Sequence, residues 1–326
     1  MSKRRTITNA RSLNQIKFAV EVETILDKAP CDTIRRNYGL STYRAPFGQW
    51  KAKGDGSIHT QAYLEDGDDY EDDTQCGVEF NSPIMTWNTG LCEVRDFVKV
   101  LNTMGADPNY TCGIHIHVDW PADKSPDDLR KLARYFASYE SAIFAMTGET
   151  ERLENTHGRT HFCKPIKAQM AEDSQESWSI GHGDYRRGVV CPLDYRDRYY
   201  SMNITNVFPY RNEEKHTVEF RLFPSVTNPV VVVGFVNAIL AIVEKAENSK
   251  RAPAPRFAPH SARRDYTLAD HYTRETARFM NRVGWTPGAY SNSPLGFFAE
   301  GNPYATKTIA DALTENAIRY ASEALI

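Results

Sequence analysis

The chain has 326 residues, of which 41% are hydrophobic and 25% are charged, a balance typical of a soluble globular protein with a full core. Its formal net charge of −3 gives no general attraction to nucleic acid or to anionic membranes, so we expect neither as a partner. No stretch approaches eighteen uninterrupted apolar residues, and the basic N-terminus lacks an apolar signal region, which excludes a spanning helix and a secretory signal.

The six cysteines are scattered along the chain without a CxxC pair. Such spacing is neither that of a small disulfide framework nor that of a zinc site. We therefore expect thiols in a reducing cytoplasm.

The first half of the chain is predicted to be rich in strands. Residues 18–25, 77–82 and 113–120 each alternate apolar and polar side chains with a period of two, which is typical of half-buried β-strands. An acidic run at 65–73 is interpreted as a solvated loop, because the ligand spacing of an EF-hand is absent.

The second half is predicted to combine further strands with two long helices. Ser125 followed by Pro126 is a helix-start signal, because serine caps the first turn and proline fits its first position. Asn228 and Pro229 repeat this signal before a valine-rich stretch that is too long for one strand. The predicted helices cover 126–146 and 230–248, and the predicted strands cover 199–207 and 217–223.

The chain is predicted to form one main domain with an appendage. We assign residues 1–250 to a catalytic domain, in which the long polar segment 148–198 forms an active-site loop or lid. The Pro- and Ala-rich residues 251–267 are interpreted as a linker. Residues 268–326 are expected to form a C-terminal helical region packed on the body.

Alternation places different chemistry on the two faces of four predicted strands. Their apolar side chains share one face, which the two long helices can cover. The other face gathers carboxylates, imidazoles and a guanidinium, namely Glu21, Glu23, Glu79, His115, His117, Asp119, Glu219 and Arg221. Two carboxylates about 4 Å apart repel by roughly 4 kcal/mol at an effective dielectric of 20. Such a cluster favours bound Mg²⁺ or Mn²⁺, which accept several carboxylates together with an imidazole.

The ordered motifs of the chain resemble those of the amidoligase family, ATP-dependent carboxylate–amine ligases related to glutamine synthetase and glutamate–cysteine ligase. The matching motifs follow one another in family order between residues 19 and 223. They are AVEVE (19–23), Trp50 with GDGS (54–57), EFNSP (79–83), CGIHIHV (112–118), RTHFCKPI (159–166), Arg198-Tyr199 with Asn203, and EFRLF (219–223).

The resemblance implies an α+β fold similar to the glutamine synthetase catalytic domain, with a curved, mainly antiparallel β-sheet and helices packed on its convex face. It implies ATP and two or three Mg²⁺ or Mn²⁺ ions on the concave face. By analogy, the metal ligands are Glu21, Glu23, Glu79, His115 and Glu219. Nucleotide-binding roles fall to His117, Arg159, Arg198, Asn203 and Ser57, and catalytic roles to Arg198, Arg221 and Asp55, with Asp55 and Ser57 at the substrate end.

The implied activity is amide-bond formation between a carboxylate and an amine through an acyl phosphate, with release of ADP and phosphate. The substrates are expected to be small molecules or peptides. The resemblance also implies a glutamine amidotransferase-like protein as a possible partner.

Three other interpretations stay open on the residues alone. A histidine pair of the HxH type also occurs in zinc-dependent hydrolases. A nucleotide- or peptide-binding module could retain the same scaffold without turnover. Cys112 with His115 could form a nucleophilic pair, although the glycine after Cys112 is also consistent with simple packing.

Overall fold

The structure is a computed structural model. It describes residues 10–32, 49–60, 74–147, 163, 166, 198–207 and 216–250. Several predictions lie outside the described residues: the acidic run, Arg159, most of the predicted lid, the linker and the C-terminal helical region.

The described strands form one seven-stranded sheet. The strands are β1 (Lys17–Asp27), β2 (Lys51–Gly54), β3 (Gln75–Asn81), β4 (Met85–Thr86), β5 (Gly113–Asp119), β6 (Met202–Asn203) and β7 (Thr217–Pro224). Their order across the sheet is β2-β3-β1-β5-β7-β6, and β4 also pairs with β1. Every pairing in the described part of the chain is antiparallel.

Three long helices in the described part of the chain lie against this sheet. They are α1 (Trp87–Thr103), α2 (Pro126–Thr147) and α3 (Pro229–Asn248), and a short 3₁₀ turn (Leu13–Gln15) precedes β1. The side chain of Asn228 accepts a hydrogen bond from the backbone N–H of Val230 at 3.0 Å, so α3 begins with the predicted cap. α1 was not predicted, although its buried apolar residues recur every three or four positions.

Aromatic pairs show that all three helices pack on one face of the sheet. Both α1 and α2 also pack against α3, which is central among the helices. The sheet–helix ring pairs are Phe80 with Phe97 of α1 at 5.4 Å, Phe220 with Phe136 of α2 at 5.1 Å, and Phe223 with Phe235 of α3 at 4.6 Å between centroids. The predicted α+β class, with an antiparallel sheet and helices on its apolar face, is therefore confirmed.

One predicted strand is much shorter in the structure, and another contains an irregularity about which the sequence pattern made no prediction. The strand predicted at 199–207 is reduced to the two residues of β6. The chain turns after it, because the side chain of Asn203 accepts a hydrogen bond from the backbone N–H of Thr205 at 2.9 Å. In β7, an irregularity adds one residue, so that Phe223 and not Leu222 lies opposite Ile114. A period-two pattern cannot reveal such an insertion.

The structure pairs two of the cysteines. Cys31 and Cys76 form a disulfide whose Cα atoms are 6.5 Å apart, whereas Cys92, Cys112 and Cys163 remain as thiols. The prediction of thiols throughout is wrong for this pair. The two residues are 45 positions apart, and the antiparallel pairing of β1 with β3 brings them together.

By length and hydropathy α3 could cross a membrane, with a mean hydropathy of 1.9 in its most apolar window. The criterion of an uninterrupted apolar run missed this property. In the structure 78% of that window is buried inside the molecule. Burial of this extent is that of a core helix.

Candidate metal and catalytic site

The strand register brings the predicted ligand side chains together on the face opposite the helices, here called the polar face. Side chains directly opposite one another on antiparallel strands have Cβ atoms about 5 Å apart. The cross-strand pairs on this face are Glu23–Glu79, Glu21–His115, His117–Glu219 and Asn203–Glu219. Five strands from different parts of the chain thus contribute to one site.

A first group of possible metal ligands consists of Glu21, His117 and Glu219, whose ligand atoms all lie within 4.8 Å of one another. His117 Nε2 is 3.2 Å from Glu21 Oε1. This nitrogen is buried, yet it makes no well-aligned hydrogen bond with any residue that the structure describes. A buried polar atom of this kind normally has a partner, so the position fits a metal ligand.

A second group consists of Glu23, Asp55 and Glu79, again with ligand atoms within 4.8 Å of one another. The backbone N–H and hydroxyl of Ser57 both donate to Asp55 Oδ1, at 2.8 and 2.7 Å. The backbone N–H of Gly113 donates to Glu23 Oε2 at 2.6 Å. These hydrogen bonds orient two of the three carboxylates.

His115 lies between the two groups. Its Nδ1 is 3.1 Å from Glu21 Oε2 and 3.7 Å from Glu219 Oε1, both in the first group. Its Nε2 is 3.8 Å from Glu23 Oε1 in the second group. One imidazole therefore contacts carboxylates on both sides.

Two cationic side chains balance part of the negative charge, and an amide donates a further hydrogen bond. Arg221 Nη1 donates to Glu219 Oε1, and Asn203 Nδ2 donates to Glu219 Oε2 at 2.7 Å. Lys53 Nζ lies 2.8 Å from Glu79 Oε1 in the second group. Each group thus has one strongly basic side chain bound to one of its carboxylates.

The electrostatics separate the two groups. Burial acts to raise the pKa of Glu21, but the imidazoles of His115 and His117 outweigh it and hold the pKa well below its usual range. Burial and then the charge of Glu21 raise the pKa of Glu79 to about 6, although Lys53 and other donors act to lower it. Glu21 is thus firmly ionised, whereas Glu79 carries an energetic penalty for its charge.

The other two members of the first group stabilise each other. Burial acts to lower the pKa of His117, but the carboxylates of Glu219 and Glu21 outweigh it and raise the pKa. Burial likewise acts to raise the pKa of Glu219, and the charges of His117 and Arg221 outweigh it and lower the pKa. The group is a compact, alternating arrangement of opposite charges.

Packing of Trp50 positions the strand that leads to Asp55. Its ring stacks on Phe97 of α1 at 3.6 Å between centroids, and its Nε1 donates to Glu93 Oε1 at 3.0 Å. The tryptophan therefore fixes edge strand β2 to the helix layer, and the chain then delivers Asp55 to the second group.

A comparison with models of protein families shows to which family this chain belongs. The family model described as "Putative amidoligase enzyme" matches residues 7–242, well over half of the sequence, including both groups of ligands. The chain belongs to the amidoligase family. The predicted resemblance is confirmed, and it supports a ligase in general.

The other comparisons add little to this amidoligase. The search of curated proteins found no match. One similar solved structure is that of a bifunctional glutathione synthetase from Pasteurella multocida, with 11% identity and a TM-score of 0.41. The match covers 96% of this chain but 52% of that one, so the amidoligase chain spans about half the length of that enzyme. Neither activity nor substrate follows from so weak a similarity.

The structure brings most of the predicted site residues of the amidoligase onto the polar face. They are Glu21, Glu23, Glu79, His115, His117, Asn203, Glu219, Arg221 and, at the end of β2, Asp55 with Ser57. Arg198 stands apart from these contacts, because it is exposed and its guanidinium lies 5.3 Å from the centre of the Tyr199 ring. Their individual roles stay predictions.

Sequence reasoning did not separate the ligands into two groups. It assigned His117 to the phosphates and Asp55 to the substrate end, whereas both lie among the ligand atoms of a group. It also missed Lys53. This residue is two positions before Asp55, and on a strand such a spacing places both side chains on the same face, which could have identified Lys53 as a neighbour of the site.

Proposed function

We propose that this amidoligase is an ATP-dependent carboxylate–amine ligase that uses Mg²⁺ or Mn²⁺ and releases ADP and phosphate. One observation carries the proposal. This chain belongs to the amidoligase family, and its sheet carries two adjacent groups of metal-ligand side chains on the polar face. We extend the proposal to a curved sheet of the glutamine synthetase type. Small-molecule or peptide substrates, a cytoplasmic location and a glutamine amidotransferase-like partner are further parts of it.

The donor atoms fit the proposed ions. The second group offers three carboxylates. The first offers two carboxylates and an imidazole whose buried Nε2 has no aligned partner among the residues that the structure describes. Oxygen-rich sets with one imidazole suit Mg²⁺ or Mn²⁺ better than zinc, which favours sets richer in nitrogen and sulfur. Bound ions would supply neutralisation of charge on the nucleotide phosphates.

The chemistry explains why a nucleotide is needed. Direct attack of an amine on a carboxylate would expel an oxide or hydroxide, which is a poor leaving group. In the proposed first step a carboxylate oxygen bonds to the γ-phosphorus and the bond to ADP breaks. The amine then forms the C–N bond, the C–O bond breaks, phosphate leaves with its electron pair, and the amine loses a proton to solvent.

The side chains of this protein would bind and orient these groups. Arg221 is held by Glu219, so its guanidinium has a defined position beside the first group. There it would bind oxygens of the transferring phosphoryl group. Arg198 and Arg159 are proposed to assist it, and His117 and Ser57 would contribute to nucleotide and substrate binding.

The test measures ADP release from ATP across amino acids, polyamines and peptides, with Mg²⁺ or Mn²⁺. We expect amine-dependent ADP and phosphate, and at least a 100-fold loss in Glu21→Ala and Glu219→Ala with unchanged circular dichroism. Asp96→Ala is the control, because Asp96 forms an exposed pair with Arg95 on α1. AMP and pyrophosphate as products, or full turnover in either site variant, would contradict the proposal.

A zinc hydrolase is the second candidate, because His115 and His117 stand together on one face of β5. Metal analysis of the purified protein separates the two functions. Tightly bound zinc with ATP-independent hydrolysis would favour the hydrolase. Nucleotide binding without turnover on any acceptor would instead favour a binding module.

A further inference from the structure

Lys53 stands out because it is a cation on the edge strand of the sheet, directly opposite Glu79. Its Nζ is 2.8 Å from Glu79 Oε1. The lysine side chain is 52% exposed, whereas that of Glu79 is 4% exposed. A solvated ammonium therefore binds a carboxylate that is otherwise buried in the second group.

The same glutamate oxygen is also engaged by a neutral donor. Asn81 Nδ2 donates to Glu79 Oε1 at 2.7 Å, so hydrogen bonding of this oxygen does not depend on Lys53. Lys53 adds a positive charge to this neutral contact. The same charge also acts to lower the pKa of Asp55, a second member of the group.

Resting on the proposed function, we infer that Lys53 is a resident counter-cation that competes with a divalent ion for the second group. An ion held by Glu79 would lie about 2 Å from the carboxylate oxygen, close to the ammonium. The two cations would repel, so the ammonium has to leave before the ion binds tightly. The flexible stem and exposed position of Lys53 permit this movement.

The consequence is a selective effect on the second group. The basic neighbours of the first group are imidazoles and Arg221, and Arg221 is buried and held by Glu219. The second group is opposed by a lysine that can be displaced. We therefore expect removal of the Lys53 charge to tighten ion binding mainly at the second group when nucleotide is absent.

The experiment counts bound Mn²⁺ by electron paramagnetic resonance of the free ion, without nucleotide, on the full chain. Wild type should bind Mn²⁺ at both groups. In Lys53→Met one class of site should tighten by about tenfold, equivalent to about 1.4 kcal/mol, and the other should change much less. Lys53→Gln removes the same charge with a polar side chain and should give the same result if the methionine variant folds poorly.

Lys51→Met is the matched control. Lys51 lies two residues earlier on the same strand, opposite Asn81 and not opposite a ligand. This variant should bind both ions as wild type does. Equal gains in Lys51→Met and Lys53→Met, or no gain in either Lys53 variant, would overturn the inference and leave the proposed function standing. Absence of any bound Mn²⁺ in wild type would overturn both.

Discussion

The ionised form of Glu79 would serve as a metal ligand, but it lowers the stability of the metal-free protein. It is buried beside Glu21, and both effects raise its pKa to about 6 from an ordinary value of 4.5. A carboxyl group with a raised pKa binds its proton more tightly in the folded protein than in the unfolded chain. Above that pKa its ionised form therefore lowers the free energy of unfolding.

We predict that Glu79→Gln stabilises the metal-free protein at about pH 7.5. The amide removes the charge but keeps an oxygen that can accept from Asn81, and the raised pKa corresponds to a gain of about 2 kcal/mol. Urea unfolding in the presence of a chelator measures this difference. The gain should shrink as the pH falls from about 6 and vanish below about 4.5, where the native glutamate is protonated in both states.

A loss of stability in Glu79→Gln at neutral pH would mean that the Lys53 ion pair outweighs the cost of burial. Ser57→Ala serves as a neighbouring control, because it removes a hydroxyl donor and no charge. Its effect should not follow this pH dependence.

The face on which a single site residue lies could be predicted from the sequence, but its contacts could not. Alternation was enough to place Glu21, His115 and Glu219 on one face, because side-chain direction along a strand is local. It could not show that His115 contacts both groups, since that depends on three neighbouring strands. Nor could it identify Lys53 as the partner of Glu79.

A largely buried ion network connects the start of β1 and the end of β5 to α3. Arg11 precedes β1, and its guanidinium binds Asp119 at the end of β5 at 2.6 Å and Glu247 near the end of α3 at 2.7 Å. Lys124 Nζ lies 2.9 Å from the same glutamate. The sequence placed Asp119 with the site histidines, but at the last residue of β5 this network engages it instead.

We predict that Glu247→Gln destabilises the protein by about 3 kcal/mol near neutral pH, because it removes the buried carboxylate that binds both Lys124 and Arg11. Burial acts to raise the pKa of Glu247, and its bonds to Arg11 and Lys124 outweigh it and lower the pKa. Its contribution is therefore present above the ordinary carboxyl pKa and is lost as the pH falls through the lowered value. Denaturant titrations at several pH values measure this contribution.

Asp96→Asn is the matched control, because the Asp96 side chain is 55% exposed in its pair with Arg95. Exposed pairs of this kind contribute about 1 kcal/mol or less. Equal losses in the two variants would argue against a structural role for the buried network.

The core of the molecule is organised around α3. Phe235 is fully buried and stacks on Phe223 of the sheet at 4.6 Å, while α1 and α2 both pack on this helix. Asn237, also fully buried, accepts a hydrogen bond from Trp87 Nε1 at 3.1 Å. One helix thus contacts the sheet and both of the other described helices.

We predict that Phe235→Ala lowers the free energy of unfolding by about 4 kcal/mol, because it removes a buried ring from this contact. Far-UV circular dichroism and tryptophan fluorescence should report the same midpoint, since Trp50, Trp87 and Trp120 are all buried in the one core. Val230→Ala, at the half-buried start of α3, should cost about 1 kcal/mol or less. Separate transitions for the two probes would show that the helix layer unfolds independently of the sheet.

The alternating strands, the two capped helices and the identity of the polar face were determined by the sequence itself, because each depends on neighbours a few residues away. The tertiary structure alone decided the strand order, the extra residue in β7 and the contact between Cys31 and Cys76. It also divided the ligands into two groups of three. Register between strands is set by packing of distant segments, and only that register brings carboxylates from different parts of the chain within reach of one ion.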